Sequence, residues 1–339
     1  MKHYTIAGNI YLAISNHYGD VNKRKTGSAI YKMNKLTDKF ALYQTLPTKS
    51  LLGLEFFSIA GKHFLAVTNH YDGTKQLDSV IYPWNGKRFV DFQRIRTSGA
   101  TKVCFTDIEG EKYLVVANYY DGSTHSIKSI FYQWKNSKFD KFQEIATEGA
   151  FGCTAFKIDK EAFVAFANYY NSQQKYSVQS TVFKWSGGHF VKLQSLQSYG
   201  ARDVKSFNIN GHTFLAFANY YSGSSRNTDS FIYKWDGNNF VLFQSFSTRG
   251  GMTIHPFVIS GQTYLGVANY YDSSQKYNTQ SVVYQASGAR FVKYQDFPTY
   301  GAHGVTSFVY KGHTYLAVAN YYNGHSRKHN INSALYKWM

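Results

Sequence analysis

From Asp203 to Ile209 polar and apolar residues alternate, Asn210-Gly211 interrupts, and a mostly apolar run returns from His212 to Asn219. Strict alternation followed by an Asn-Gly pair predicts a two-residue β-hairpin. A polar loop, Ser222 to Thr228, leads to a third strand-like segment from Ser230 to Trp235, and Asp236-Gly237 turns into a fourth, Phe240 to Phe246. The pattern predicts four antiparallel strands. No stretch of the chain shows a helical period, which excludes helical solenoids and leucine-rich horseshoes.

This four-strand pattern is one copy of seven. An Asn-aromatic-Tyr phrase closes the second strand of each, at Asn16-His17-Tyr18, Asn69-His70-Tyr71, Asn118-Tyr119-Tyr120, Asn168-Tyr169-Tyr170, Asn219-Tyr220-Tyr221, Asn269-Tyr270-Tyr271 and Asn320-Tyr321-Tyr322. Successive asparagines lie 53, 49, 50, 51, 50 and 51 residues apart, a fixed period that marks a repeat architecture. A serine three positions before an aromatic follows each phrase, from Ser28 and Tyr31 to Ser333 and Tyr336. An aromatic-or-Leu-Gln pair then appears six times, from Tyr43-Gln44 to Tyr294-Gln295, and its first residue, like the Trp positions, is expected in the core. Four-stranded sheets repeated radially make a propeller, and seven copies fall within the range of such folds. The expected fold class is therefore all-β, a seven-bladed β-propeller with four antiparallel strands per blade, the outer strand of the last blade missing. One domain is expected over residues 1–339, with repeats at about 1–50, 51–99, 100–149, 150–200, 201–250, 251–301 and 302–339. The open edge in the last blade is an association hazard and a candidate dimer contact.

Composition narrows the class. Aromatic residues make up 18% and charged residues 17%, rich in strand formers and poor in solvating groups, so disorder is not expected. Cys104 and Cys153 fall in equivalent strands but 14 and 15 residues before their asparagines, which predicts opposite facing and two buried thiols rather than a disulfide. No apolar run is long enough for a membrane span, and the first residues enter a strand directly, with no signal peptide. On these grounds a cytoplasmic location is open.

The run from Gly301-Ala302 through Tyr315-Leu316-Ala317-Val318-Ala319-Asn320-Tyr321-Tyr322 to Leu335-Tyr336-Lys337-Trp338 resembles the EAR repeat, also called EPTP, over essentially the whole chain. The resemblance implies a seven-bladed propeller of secreted or cell-surface proteins that binds other proteins and is not an enzyme. It thus implies an extracellular location and a protein receptor. Unlike better-known members, residues 1–339 show no leucine-rich, laminin-like or transmembrane segment beside the repeats. Some members hold calcium in the central channel through acidic residues after the Gly-Ala step. That region here offers Asp203 against Lys102, Arg202 and His303, and neither metal nor cofactor is expected.

Charge supplies the candidate site. With 37 Lys and Arg against 20 Asp and Glu the formal net charge is +17. Lys23, His125, Lys175, Arg226, Lys276 and Arg327 follow the second tyrosine by five residues, and Lys75 by four in the shortest loop. In a propeller these loops share a face with Lys49, Lys102, Arg202, Arg249, His255 and His303, and Arg24, Lys25, His325, Lys328 and His329 add to it. Such a field attracts polyanions and weakens as salt rises. Tyr18, Tyr71, Tyr120, Tyr170, Tyr221, Tyr271 and Tyr322 are either ligand-stacking groups or framework packed between blades, because a residue needed in every blade is most simply structural.

The reading is a non-enzymatic, multivalent, lectin-like module for anionic glycans or an acidic glycoprotein surface, gaining avidity from repetition. An extracellular propeller that binds a cell-surface receptor is the first alternative. An enzyme with its site at the channel mouth is the second; His17, His70, His255 and His303 could meet there, but no paired acids, nucleophile elbow or phosphate loop is visible. No motif for specific nucleic-acid recognition is present.

Overall fold

The computed structural model describes residues 1–18, 27–274 and 276–339, and among them the chain is all-β without a helix. Six four-stranded antiparallel sheets and one three-stranded sheet follow in chain order, each with its strands in sequence order. The fold is a seven-bladed β-propeller whose last blade has only Ala302–Tyr310, His313–Asn320 and Ala334–Lys337. By internal contacts the chain divides at a repeat boundary into two compact units, Met1–Ala150 with the first three blades and Phe151–Met339 with the last four.

The fifth blade shows how the sequence builds a sheet. Ala201–Ile209 pairs with His212–Asn219, and Ile209 faces His212 across Asn210 and Gly211, whose φ of +49° and +80° are what a type I′ turn demands. The third and fourth strands, Asn227–Trp235 and Phe240–Arg249, run further into the polar loop than side-chain alternation predicts. Their ladder continues to the pair Asn227 and Arg249, because backbone pairing needs no apolar side chain.

Core forms between adjacent blades. Phe163, Ala165 and Ala167 of the fourth blade pack with Val204, Leu215, Phe217, Tyr233 and Phe240 of the fifth, and Trp84, Trp134, Trp235 and Trp338 join such clusters. The repeated glutamine locks neighbours together. Gln194 Nε2 donates to Phe240 O at 2.9 Å and its Oε1 accepts from Phe240 N at 2.8 Å. Gln44, Gln93 and Gln244 clamp Phe89, Phe139 and Phe291 in the same way.

One expectation needs correcting. The aromatic just before each glutamine reads as core, yet Tyr43, Phe92 and Tyr294 are 37%, 44% and 48% exposed. Tyr43 and Tyr294 are the extra residues of β-bulges, since Tyr31 faces Leu42 while Ile30 faces Gln44, and Tyr284 faces Lys293 while Val283 faces Gln295. A bulge turns its extra residue out of alternation, so the period-two reading fails there. Cys104 and Cys153 are buried thiols outside any disulfide.

Candidate functional site at the Asn-aromatic-Tyr loops

Five of the phrases open on a buried asparagine, at 69, 118, 168, 219 and 269, that is a hydrogen-bond node. In the fifth blade Asn219 N donates to Ser230 Oγ at 3.0 Å, Asn219 Nδ2 to Asp229 O at 2.7 Å, and Asn219 Oδ1 accepts from Tyr199 N at 3.1 Å. Ser230 Oγ lies 2.9 Å from Thr248 Oγ1, which donates to Thr228 O. One asparagine thereby ties the second strand to the third strand of its own blade and to the exit of the preceding blade. The same node recurs around Asn69, Asn118 and Asn269. This arrangement assigns the asparagines to the framework.

Glycine closes the loop that follows. Gly99, Gly149, Gly200, Gly250 and Gly301 all have φ between +48° and +58°. Each donates its N–H, at 2.5 to 2.7 Å, to the carbonyl of Lys75, His125, Tyr176, Arg226 or Tyr277 respectively. The acceptor is 24 residues before the glycine in every case, as 99 − 75 and 301 − 277 show. Measured forward from the second tyrosine, the same residues stand 4, 5, 6, 5 and 6 positions away, because the loops differ in length.

That position is the structural equivalent between blades, and it differs from the expected one. Its side chain wedges between tyrosines. His125 packs on Tyr119 and Tyr120 at 4.7 and 4.4 Å, Tyr176 on Tyr169 and Tyr170 at 5.3 and 4.5 Å, and Tyr277 on Tyr270 and Tyr271 at 5.2 and 5.0 Å. His329 does the same against Tyr321 and Tyr322, both at 4.7 Å. The wedge also reaches the next blade: Tyr176 meets Tyr221 and Tyr277 meets Tyr322, each at 4.7 Å. Lys75 and Arg226 fill the place with a cation. Lys75 Nζ lies 4.7 Å from the Tyr71 ring and 2.8 Å from His70 Nε2. Arg226 sits over Tyr220, Tyr221 and Tyr271 at 5.3, 5.4 and 4.9 Å, and its Nε donates to Tyr220 Oη at 2.9 Å.

The seven basic positions therefore do not occupy one place. Lys75, His125 and Arg226 are half-buried wedges, whereas Lys175, Lys276 and Arg327 are exposed on the loop before it. Lys23, with Arg24 and Lys25, lies outside the described residues. Tyr18, Tyr71, Tyr120, Tyr170, Tyr221, Tyr271 and Tyr322 are all half-buried, so each keeps a solvent-facing part. Tyr176 and Tyr277 escaped the sequence reading, and counting back from the Gly-Ala step would have found both; His329 figured there only as a flanking charge.

Neighbouring charges are partly compensated. Lys49 pairs with Asp72, and Arg249 Nε lies 3.1 Å from Asp272, so these two add less to a positive face than expected. Arg202 is sandwiched in unit Phe151–Met339, with its guanidinium carbon 3.9 Å from the Phe151 and Tyr169 rings and 4.6 Å from Tyr220. Burial raises the Tyr220 phenol pKa, with Arg202 and Arg226 pulling the other way. His303 stacks on Tyr321 at 4.2 Å, and His255 is a strand residue whose ring bonds Ser307 at 2.9 Å. In unit Met1–Ala150 the His17 and His70 rings lie 5.7 Å apart. Burial, then Lys75 and His17, hold the His70 pKa well below the ordinary value. Asp203, buried beside Lys205 at 3.0 Å, makes an ion pair. Among the described residues no group of three His, Cys, Asp or Glu is placed to hold a metal.

By overall structure the chain is similar to a candidate 6-phosphogluconolactonase from Bacteroides uniformis, with a TM-score of 0.67 and 12% identity over 97% of this chain and 95% of that one. A second such protein from Bacteroides fragilis gives 0.57 and 12% over 86% and 82%. At this identity the likeness is one of fold alone. By sequence, a human thrombospondin-type laminin G domain and EAR repeat-containing protein is 43% identical over 102 residues, and the mouse protein 40%. Those stretches cover 29% of this chain and 15% of each relative. The EPTP domain model matches residues 39–85, 88–135, 138–186, 189–236, 239–285 and 290–339. With six repeats matched over most of its length, the chain belongs to the EPTP repeat family.

Proposed function

We propose that this propeller is a non-enzymatic recognition module, extracellular in location, whose Asn-aromatic-Tyr loops bind an anionic glycan or the acidic surface of a glycoprotein. One observation carries the reading: Arg226 is held among three tyrosine rings with its Nε engaged by Tyr220, and no carboxylate among the described residues lies within ion-pair distance of it. A guanidinium pre-positioned in this way loses little side-chain freedom on meeting a sulfate or carboxylate. Exposed Lys175, Lys276 and Arg327 surround the same kind of loop in that unit, and the net charge of +17 favours encounter with polyanions.

Membership of the EPTP family supports a protein partner as the second reading. Tyrosine and arginine are the side chains that dominate protein-interface energetics, and these loops are made of them. The fold likeness to the lactonase-named structures brings no chemistry with it. A glycan array probed at low and high salt, with wild type and Arg226→Gln, tests the proposal. Retention of sulfated or sialylated glycans that falls with salt and with the substitution is the expected result. No anionic glycan held at low salt refutes the glycan form, and salt-resistant binding to a protein ligand would favour the receptor form.

A further inference from the structure

At the opposite end of the first blade's second strand from Asn16 lies a cleft of about 410 Å³. Its lining includes Asn9, Lys32, Asn34, Lys35, Leu42 and Tyr43, and no Asp or Glu. Lys32 Nζ stands 5.7 Å from the Tyr11 ring and 5.6 Å from the Tyr43 ring. Tyr43 is held in place from the second blade, where its hydroxyl donates to Lys87 O and its ring lies 6.0 Å from Trp84 at an interplanar angle of 24°. The cleft therefore offers a fixed aromatic face beside a cation.

The fourth blade shows how a lysine at this place is neutralised from within the chain. Asn9 begins the second strand of its blade, the place taken by Glu111 in the third and Glu161 in the fourth. In the fourth blade Glu161 Oε1 pairs at 2.6 Å with Lys184, which faces Phe163 as Lys32 faces Tyr11. In the first blade Asn9 instead donates its amide to Ile6 O and Ala7 O at 3.4 and 3.1 Å and brings no negative charge. Among the described residues neither Lys32 nor Lys35 has a carboxylate within ion-pair distance. The carboxylate that the fourth blade carries internally is absent from this cleft, which is of ligand size. It is absent also from the fifth and seventh blades, where His212 and His313 stand in line with Lys234 and Lys337, so the cleft and the Tyr43 face beside Lys32 carry the argument.

We infer that the cleft bounded by Asn9, Lys32, Lys35 and Tyr43 binds a small ring-bearing organic acid, whose anionic group takes the place that Glu161 fills in the fourth blade and whose ring face lies on Tyr43. An acidic monosaccharide and an aromatic carboxylate share this chemistry. The anion meets Lys32 and Lys35, while Tyr43 supplies a stacking face and the Asn34 and Asn9 amides a polar border.

Titration of the full chain followed by NMR or calorimetry tests the site with four probes: glucuronate, benzoate, glucose and benzyl alcohol. Saturable binding of at least one acid, with a Kd on the order of 1 mM or tighter and with its neutral counterpart weaker by about tenfold or more, is expected. Which acid binds separates the sugar from the aromatic source. Asn9→Glu recreates the internal pair of the fourth blade and should abolish binding with the thermal transition intact. Asn9→Gln, the residue Gln262 at the same place in the sixth blade, should keep it. Equal binding of the neutral probes, absence of saturation by both acids, or acid binding that survives both Asn9→Glu and Lys32→Gln overturns the inference.

Discussion

Replacing Asn219 by alanine separates a framework node from a ligand site. The side chain is fully buried, donates to Asp229 O at 2.7 Å and accepts from Tyr199 N at 3.1 Å. Alanine removes both bonds and leaves the Asp229 carbonyl and the Tyr199 N–H without these partners in a part-buried site. Each net hydrogen bond is worth about 1 kcal/mol, and each stranded buried group costs about 1–3 kcal/mol, so the total expected loss is roughly 3 kcal/mol. Asn219→Asp should do no better, since a carboxylate can still accept from Tyr199 N but sets a charge against the Asp229 carbonyl. Asn320, at the same position in the last blade, bonds Asn332 O at 3.0 Å and Tyr300 N at 3.0 Å where water can reach, so Asn320→Ala should cost only about 1 kcal/mol. Urea unfolding followed by tryptophan fluorescence measures both. A change below about 0.5 kcal/mol for Asn219→Ala, of the size of an ordinary surface substitution, would refute the framework assignment and return the asparagines to the ligand-binding candidates.

Three further outcomes follow from the same geometry. Gln244→Ala removes both bonds of the clamp on Phe291 and should lower stability by about 2 kcal/mol in urea, whereas Gln295→Ala in the last four-stranded blade, which makes no such pair, should be close to neutral. Gly200→Ala places a Cβ 2.8 Å from Tyr221 O at φ +48° and should lower the melting temperature clearly, while Gly211→Asn, at φ +80° with no atom within 4 Å of a Cβ, should be tolerated. His70 is buried and neutral in the fold, with its pKa depressed below the ordinary 6.5 by burial, Lys75 and His17. The unfolded chain then binds the extra proton, so stability is intact above about pH 6.5 and falls by up to about 1.4 kcal/mol per pH unit below it. Unfolding titrations at pH 7.5 and 5.5 should show His70→Gln with a shallower decline than wild type, and equal slopes would remove His70 as the cause.

Much of the architecture was legible because it depends on backbone pattern. The Asn210-Gly211 pair, the alternation before it and the return of Asn219 at a fixed period define strands and turns with no reference to partners far away. The missing fourth strand of the last blade was legible for the same reason. What failed to show depends on distance. Tyr43 and Tyr294 are the extra residues of bulges that offset the alternation by one, and no local rule places those bulges. Lys49 and Arg249 looked like free surface charge, but their carboxylates, Asp72 and Asp272, come 23 residues later and meet them only once the loops fold. Lys175 and Lys276 were aligned with Arg226 by counting forward, and the unequal loops put Tyr176 and Tyr277 in that place instead.

The wedge position shows why repetition in this chain is a guide to structure more than to ligand. The backbone demands there are identical in five blades: a carbonyl that takes the N–H of a left-handed glycine, and a side chain large enough to fill the gap between one tyrosine pair and the next. Lysine, histidine, tyrosine and arginine all meet the size requirement, so packing does not choose among them. Charge at the position is then free to differ from blade to blade, and Arg226 and Lys75 are departures that the fold tolerates without needing them. The same logic applies at the far end of the first blade, where the place that Glu161 fills in the fourth blade holds Asn9 and, elsewhere, Lys62, Glu111, His212, Gln262 or His313. Features present in every blade, such as Asn219 and Ser230, and the left-handed glycine present at five blade junctions, such as Gly200, answer to stability, and substituting them should unfold before it disarms. Features that vary from blade to blade are not fixed by the fold, and under the proposals above substituting Arg226 or Asn9 should change what is bound while the melting transition stays where it was.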